Sequence, residues 1–357
     1  MRTILYEEHV KLGAHIVDFH GWDLPLYYSQ IITEHLAVRN NVGIFDVSHM
    51  GDIVVDGKDS ELYLNHMLPS DITKLNAGEC IYTAFLNHDG KIIDDCILYR
   101  VAEDRFLIVP NAAMKNRILS WMLENASDYN ITITDLSDEI GCIAVQGPRS
   151  QDLISTIGFD FPQQFRFVLN DFNHTNSITG KNDVLISGTG YTGEKGVEII
   201  GPNLSILHIW KNLMKYIDEF NGKPCGLGSR DTLRMEKGML LSGSDFNENR
   251  TPYEASISFI VSNQDNFIGK EKLVSKPIEI FRGFISTDNG IPRSGDKIQS
   301  DGLIVGNVTS GGYSPSMSKG IALGYINRKF SDIGKEVEII HSNKKIGARI
   351  SRPKMFP

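Results

Sequence analysis

The pattern of apolar and polar positions predicts alternating strands and helices through the first half of the chain. Asp52-Ile53-Val54-Val55-Asp56-Gly57 is apolar between acids and closes on glycine, which predicts a short strand ending in a turn. Asp59 to Leu68 reads as a helix with Leu62, Leu64 and Leu68 as its apolar positions. Ile81 to Leu86 is strand-like, and Asn87-His88-Asp89-Gly90 predicts a hairpin turn, because Asp-Gly supplies positive φ angles. The return strand is Lys91 to Val101, and Arg105 to Pro110 makes a third. Asn111 then fits as the cap of a helix running to Asn125, with Met114, Ile118, Trp121 and Met122 on one face. Strand, hairpin, strand and helix together point to an α+β fold built on antiparallel sheet.

Further on, Glu139 to Val145 is an apolar strand, and Gly147-Pro148 is placed to start a helix. Asp183 to Ser187 and Gly196 to Ile200 flank a glycine-rich turn, and helices are expected at Leu204 to Phe220 and Leu227 to Leu241. After Lys276-Pro277 the texture changes. Short β-type runs (Phe281 to Ser286, Leu303 to Val308, Ile321 to Ile326, Glu336 to Ile340, Lys345 to Ile350) alternate with Gly, Pro, Ser and Asn, as in a small β-barrel or sandwich. A domain boundary is therefore expected near residue 277. No heptad run, low-complexity tract or repeat is evident.

Composition narrows the picture. At 357 residues the chain has room for two or three domains, and 41% apolar with 22% charged residues describes an ordinary globular protein. A formal net charge of −8 argues against nucleic-acid binding through bulk charge. No apolar stretch approaches the ~18–20 residues of a membrane span. The opening Met-Arg-Thr-Ile-Leu-Tyr-Glu-Glu-His resembles neither a secretory signal nor a transit peptide. Cys80, Cys96, Cys142 and Cys225 are far apart and form no C-x-x-C pair, so neither a disulfide framework nor a zinc site is expected, and a cytoplasmic location is. The ten histidines show no H-E-x-x-H, so no metal is expected.

Four segments could carry chemistry. In Lys91-Ile92-Ile93-Asp94-Asp95-Cys96-Ile97-Leu98-Tyr99 alternation puts Asp95 on one face with Ile93, Ile97 and Tyr99, and Asp94 on the other with Ile92, Cys96 and Leu98. Both acids sit among apolar neighbours. A carboxylate leaving water there needs a partner or a shifted pKa, though from composition alone a strand-start pair bonding loop amides is the commoner arrangement. Gly188-Thr189-Gly190-Tyr191-Thr192-Gly193-Glu194-Lys195-Gly196-Val197-Glu198 allows close approach of backbone to a ligand, or a plain β-turn; it matches neither a dinucleotide fingerprint nor a P-loop. Arg230 and Arg234 lie four apart near a helix start, where they could hold a carboxylate or ring carbonyl, or pair with Asp231 and Glu236. Ser48 and His49 in Phe45-Asp46-Val47-Ser48-His49-Met50-Gly51 are adjacent, poorly placed as nucleophile and base, and no G-x-S-x-G accompanies them.

Taken in order these segments resemble the glycine cleavage T-protein (aminomethyltransferase) family. The matching pieces are Val17-Asp18-Phe19-His20-Gly21-Trp22-Asp23-Leu24-Pro25, Phe45 to Gly51, Ile93-Asp94-Asp95, Gln146-Gly147-Pro148, Gly190-Tyr191-Thr192-Gly193-Glu194, Gly196-Val197-Glu198, Gly226-Leu227-Gly228 with Arg230-Asp231, and Val308-Thr309-Ser310-Gly311 with Ser314-Pro315. The resemblance implies an α+β folate-binding aminomethyltransferase-type fold with a C-terminal small β-barrel. It divides the chain into a folate-binding catalytic region, 1–276, with a central insert at roughly 51–137, and a barrel, 277–357. It implies transfer of the one-carbon unit from the aminomethyl group on the H-protein lipoyl arm to tetrahydrofolate, with ammonia released. It also implies a monomer that docks H-protein transiently.

By the same resemblance Asp95 matches the catalytic carboxylate and Glu198 the acceptor of the pterin N–H fork. Arg230, Tyr82, Tyr99, Met50, Val109, Asn111 and Tyr191 match ligand-binding or cavity-lining positions. The chain departs from the family at Ser242, where relatives often carry Tyr, and at Lys195. Some relatives extend beyond the Lys354-Met355-Phe356-Pro357 stop with a late Arg or Tyr near the ligand. Relatives on the same fold include folate-dependent demethylases of small methylated amines or sulfonium compounds, the alternative reading. A non-enzymatic folate-binding branch is marked by a Lys-Gly-Cys-Tyr motif that this chain lacks.

Overall fold

The computed structural model describes residues 1–171, 183–264, 266–342 and 344–357. It separates into two compact units: Met1–Phe85 with Asp94–Arg230 and Asn263–Phe267, and Leu86–Ile93 with Asp231–Ser262 and Ile268–Pro357.

The first unit carries one sheet whole and nearly all of a second, whose residues Leu86, Ile92 and Ile93 fall in the other unit. One has six strands in the order Phe167–Asp171, Asp183–Ser187, Gly196–Pro202, Ile140–Gln146, Gly43–Asp46 and Lys223–Pro224. Every pairing is antiparallel except the last, between Lys223–Pro224 and Gly43–Asp46. The helix Asn203–Tyr216 presents Ile206, Ile209, Trp210 and Leu213 to Ile143, Val145, Val197 and Ile199 of this sheet, in one core. Each such side chain removed from water contributes about 1.5–3 kcal/mol, so this layer anchors the strands that end in the site. The second sheet has the order Cys80–Leu86, Ile92–Ala102, Arg105–Pro110, Ile53–Asp56 and Thr132–Asp135. A short ribbon, His15–Phe19 with Trp22–Tyr27, precedes both and left no clear alternation in the sequence.

In the second unit six strands close into a barrel: Glu279–Ser286, Lys319–Asn327, Leu303–Ser314, Lys297–Ser300, Glu336–His341 and Lys344–Ser351, which pairs back with the first. Phe284, Ile298, Val308, Ala322, Ile339 and Ile350 fill its interior. The five runs expected from the sequence are all strands, and Lys297–Ser300 is an addition. The α+β class and the C-terminal barrel are thus as expected.

Several local expectations are corrected. Asn111 caps no helix: a 3-10 turn at Ala112–Met114 leads into the helix Lys115–Glu124, and its amide is used elsewhere. Leu62 lies on the outer face of its helix, 65% exposed, while Leu64 and Leu68 are buried. In the hairpin turn only Gly90 has positive φ, 71°. The helix expected from Gly147-Pro148 begins at Ser150, and the one from Leu227 ends at Glu236, shortly before Gly238 turns into the left-handed region at φ 68°. All four cysteines are free and buried. Among the described residues no helix is long and apolar enough to cross a membrane.

Candidate active site

Every site candidate singled out from the sequence except Arg234 lies in the first unit. They form two groups.

The first group is built on the adjacent interior strands Ile92–Ala102 and Arg105–Pro110 of the five-stranded sheet. Ile97 pairs with Val109 and Tyr99 with Leu107, so Asp95, Ile97 and Tyr99 share a face with Val109. Asp95 is half-buried. Its Oδ2 accepts the Tyr82 hydroxyl at 2.7 Å and its Oδ1 accepts the Asn111 amide at 2.7 Å. Each carboxylate oxygen of Asp95 thus has a donor. Burial, then Asp95 itself, pushes the Tyr82 hydroxyl well above its ordinary range, which keeps it a donor.

Asp94, 0% exposed, accepts the Asn111 backbone N–H at 2.9 Å and the same side-chain amide at 2.9 Å. The two acids point differently, as alternation requires, yet Asn111 bridges them. Sequence reading saw Asn111 as a helix cap or, by resemblance, a cavity residue. Its use as a clamp on both acids depends on pairing across 16 and 17 positions and carries no local signature.

Met50 reaches this group through the turn Val47–Met50. The Gly51 N–H donates to the Pro110 carbonyl at 3.1 Å, which sets Met50 beside the Val109–Asn111 strand end. Asp46 holds the turn from behind. Its Oδ1 accepts the Ser48 N–H at 2.9 Å, while Oδ2 accepts Thr3 Oγ1 at 2.6 Å and pairs with His9 Nε2 at 2.8 Å. Burial works to raise the Asp46 carboxyl, but the hydrogen bonds from His9, Thr3 and Ser48 hold it below its ordinary value. Ser48 is itself tied to the sheet: its hydroxyl donates to the Cys142 carbonyl and accepts the Cys142 N–H at 3.0 Å. It is no nucleophile paired with His49.

The second group gathers on the glycine-rich turn. Glu198 is half-buried, and its Oε2 accepts Thr189 Oγ1 at 2.5 Å. The Tyr99 hydroxyl lies 3.4 Å from the same Thr189 oxygen and, since the threonine proton is committed to Glu198, serves as donor there. Gln146 holds the turn together. Its Nε2 donates to the carbonyls of Thr189 at 3.1 Å and Val197 at 3.2 Å, and its Oε1 accepts the Thr192 hydroxyl at 2.8 Å. This explains two of the glycines: a Cβ on Gly190 or Gly196 would stand 2.0 or 2.4 Å from the Gln146 amide. Thr189 and Gln146 were not singled out as site residues from the sequence, because their partners lie on other strands.

Arg230 stands over the Tyr191 ring, 4.7 Å from its centroid. Burial lowers its guanidinium pKa, against the opposing charge of Glu198. Its Nη1 is buried and has no hydrogen-bond partner. Arg234, the other member of the sequence pair, is not part of this group. It is buried in the second unit, donating to Asp231 at 2.8 Å, Asp245 at 2.6 Å and Ser310 at 2.9 Å.

The two groups together present a carboxylate already supplied with donors and, separately, the acceptor Glu198 with the buried donor Arg230. Comparison with known proteins identifies the family. Residues 5–265 match the GCVT N-terminal domain and residues 281–356 the glycine cleavage T-protein C-terminal barrel domain. An aminomethyltransferase of Caldanaerobacter subterraneus subsp. tengcongensis is 40% identical over 98% of this chain and 94% of its own length. One from Thermosipho melanesiensis is 40% identical over 98% and 95%. The crystal structure of glycine cleavage system aminomethyltransferase T from Bartonella henselae superposes with a TM-score of 0.91 at 30% identity, covering 100% of this chain and 98% of that one. The chain belongs to the glycine cleavage T-protein family and is an aminomethyltransferase by that membership. The demethylase alternative is not favoured, since these relatives match along nearly the whole chain.

Proposed function

We propose that the protein moves the one-carbon unit of the aminomethyl group on the H-protein lipoyl arm to tetrahydrofolate, giving 5,10-methylenetetrahydrofolate, ammonia and dihydrolipoyl H-protein. It acts in the cytoplasm as a monomer that docks H-protein transiently, with region 1–276 binding folate and 277–357 forming the barrel domain. The observation that carries this reading is that Glu198, an acceptor with one hydroxyl partner, acts electrostatically on Arg230, whose buried Nη1 has no hydrogen-bond partner. Acceptor beside donor complements a pterin edge, which offers two N–H donors next to a carbonyl. In this reading Glu198 accepts the N–H fork and Arg230 donates to the carbonyl. Tyr82, Tyr99, Met50, Val109, Asn111 and Tyr191 line the site.

Asp95, fixed by Tyr82 and Asn111, orients the nucleophilic folate nitrogen. It stabilises positive charge as ammonia departs, without reorganising at the moment of reaction. With the family's pterin-binding residues matched and neither a dinucleotide nor an ATP motif in the sequence, reduced folate is the expected co-substrate and NAD and ATP are not. The test is ammonia release from aminomethylated H-protein with and without tetrahydrofolate. Release that depends on both supports the assignment. Absence of release, with one-carbon transfer from a free methylated amine instead, would replace it with the demethylase reading.

A further inference from the structure

Among the buried polar atoms of the described residues that lack a hydrogen-bond partner are Arg230 Nη1 and His49 Nδ1, on two residues whose charges act on one another. His49 is 6% exposed, and its ring meets Phe19 edge-on at 5.9 Å between centroids. The turn around it is otherwise well bonded. The Ser48 N–H reaches Asp46, the Ser48 hydroxyl reaches Cys142, and the Met50 N–H reaches the Val47 carbonyl. An unpaired buried polar group costs about 1–3 kcal/mol, so a satisfied turn that leaves one imidazole nitrogen empty points to a ligand.

We propose that His49 is a further ligand-binding residue, its Nδ1–H joining an Nη N–H of Arg230 on one acceptor oxygen, the ring carbonyl beside the N–H edge that Glu198 takes. The proposal rests on the folate reading above and adds a residue to it. A guanidinium can only donate, and a carbonyl oxygen has two lone pairs, one for each donor. The charged and titratable groups that act on His49 are Arg230, Asp46 and His20. Burial first, then Arg230, push the imidazole down to about 4, so it is neutral at pH 7 and offers one N–H. Arg230 and Glu198 already balance each other's charge. A neutral carbonyl keeps that balance, whereas a carboxylate would leave a net buried negative charge.

The experiment is anaerobic calorimetric titration of the full chain with tetrahydrofolate and with its 4-amino-4-deoxy analogue, in which a donor replaces the carbonyl. The variants are His49→Phe, which keeps ring volume without the nitrogen, and His49→Asn, whose amide can occupy the Nδ1 position. Wild type is expected to prefer the carbonyl ring. His49→Phe should weaken tetrahydrofolate about tenfold and leave the analogue unchanged, narrowing the ratio by about tenfold, and His49→Asn should restore it. A merely structural histidine would lower both affinities together, so an unchanged ratio overturns the proposal. So does His49→Asn behaving like His49→Phe. Should His49→Phe not fold, His49→Gln, which places its amide nearer the Nε2 position, serves as the variant expected not to rescue. Failure of the wild type to bind tetrahydrofolate saturably overturns the folate reading and this assignment with it, whereas normal wild-type binding with an unmoved ratio overturns this assignment alone.

Discussion

The two ends of the site differ in how much of their hydrogen bonding is complete. At the Asp95 end both carboxylate oxygens already have donors, and Asn111 is held in turn by Asp94. At the Arg230 end a buried guanidinium nitrogen and a buried imidazole nitrogen have none. A group that stabilises charge formed during reaction gains from being oriented beforehand, so its donors belong in the free protein. A group that recognises a ligand must keep its donors for the ligand. In the proposed reading this difference places chemistry at one end and recognition at the other. It separates the variants below by whether they change turnover, affinity or stability.

The largest effect is expected for Asp95→Asn. Volume is kept and the charge is lost, so turnover should fall about 10²–10³-fold in an ammonia-release assay at saturating folate and H-protein, by analogy with losing a preorganised electrostatic partner. Asp94→Asn in the same assay should lose far less. If Asp94→Asn loses turnover while Asp95→Asn keeps it, the division between the two acids is wrong.

His49 gives the next effect, on stability against pH. Its folded pKa of about 4 lies below the ordinary imidazole value of 6.5, so the unfolded chain binds the extra proton. Stability from this group is therefore complete above pH 6.5 and is lost as pH falls toward about 4, by up to about 3 kcal/mol. Asp52 slopes the other way: burial and the neighbouring Asp135 push its carboxyl up to about 8, so its contribution is lost as pH rises from 3.8 toward about 8. The measurement is consequently a difference. Urea unfolding of His49→Phe should gain on wild type as pH drops from 6.5 to 4, and parallel pH curves would contradict the burial of a neutral His49.

Glu198→Ala should weaken tetrahydrofolate about ten- to a hundredfold by leaving ligand donors unpaired, with little change in the thermal stability of the free protein. The smallest effect is expected for Asp94→Asn on folding. One acceptor facing the Asn111 N–H groups becomes a donor, which should cost about 1–3 kcal/mol of unfolding free energy in urea.

What could be read from the chain follows from how local each cause is. Strands such as Ile53–Asp56 and Arg105–Pro110 declare themselves by apolar content and bounding turns, and the barrel by its rhythm of short runs. Lys297–Ser300 was missed because one apolar residue, Ile298, is too little pattern for a strand that closes a barrel by its neighbours. The strand Leu303–Ser314 runs past the expected end at Val308 through Gly311 and Gly312, which sequence reads as a break.

Alternation separated Asp95 from Asp94, and resemblance brought forward Glu198 and Arg230. Neither distinguished Arg230 from Arg234 by environment: same residue type, one helix, and opposite bonding, with only Arg234 fully occupied by Asp231, Asp245 and Ser310 among its partners. The contributions of Gln146, Thr189 and His49 lie in contacts between strands and turns far apart in sequence, where no spacing rule reaches.

The account's central claim is that recognition and chemistry sit at different ends of the site. The most direct measurement is anaerobic calorimetric titration of tetrahydrofolate into wild type, Asp95→Asn and Glu198→Ala side by side. The account predicts saturable binding to wild type, a loss of only a few-fold in Asp95→Asn, and a loss of about ten- to a hundredfold in Glu198→Ala. Equal losses in the two variants, or an Asp95→Asn that binds more weakly than Glu198→Ala, would contradict it.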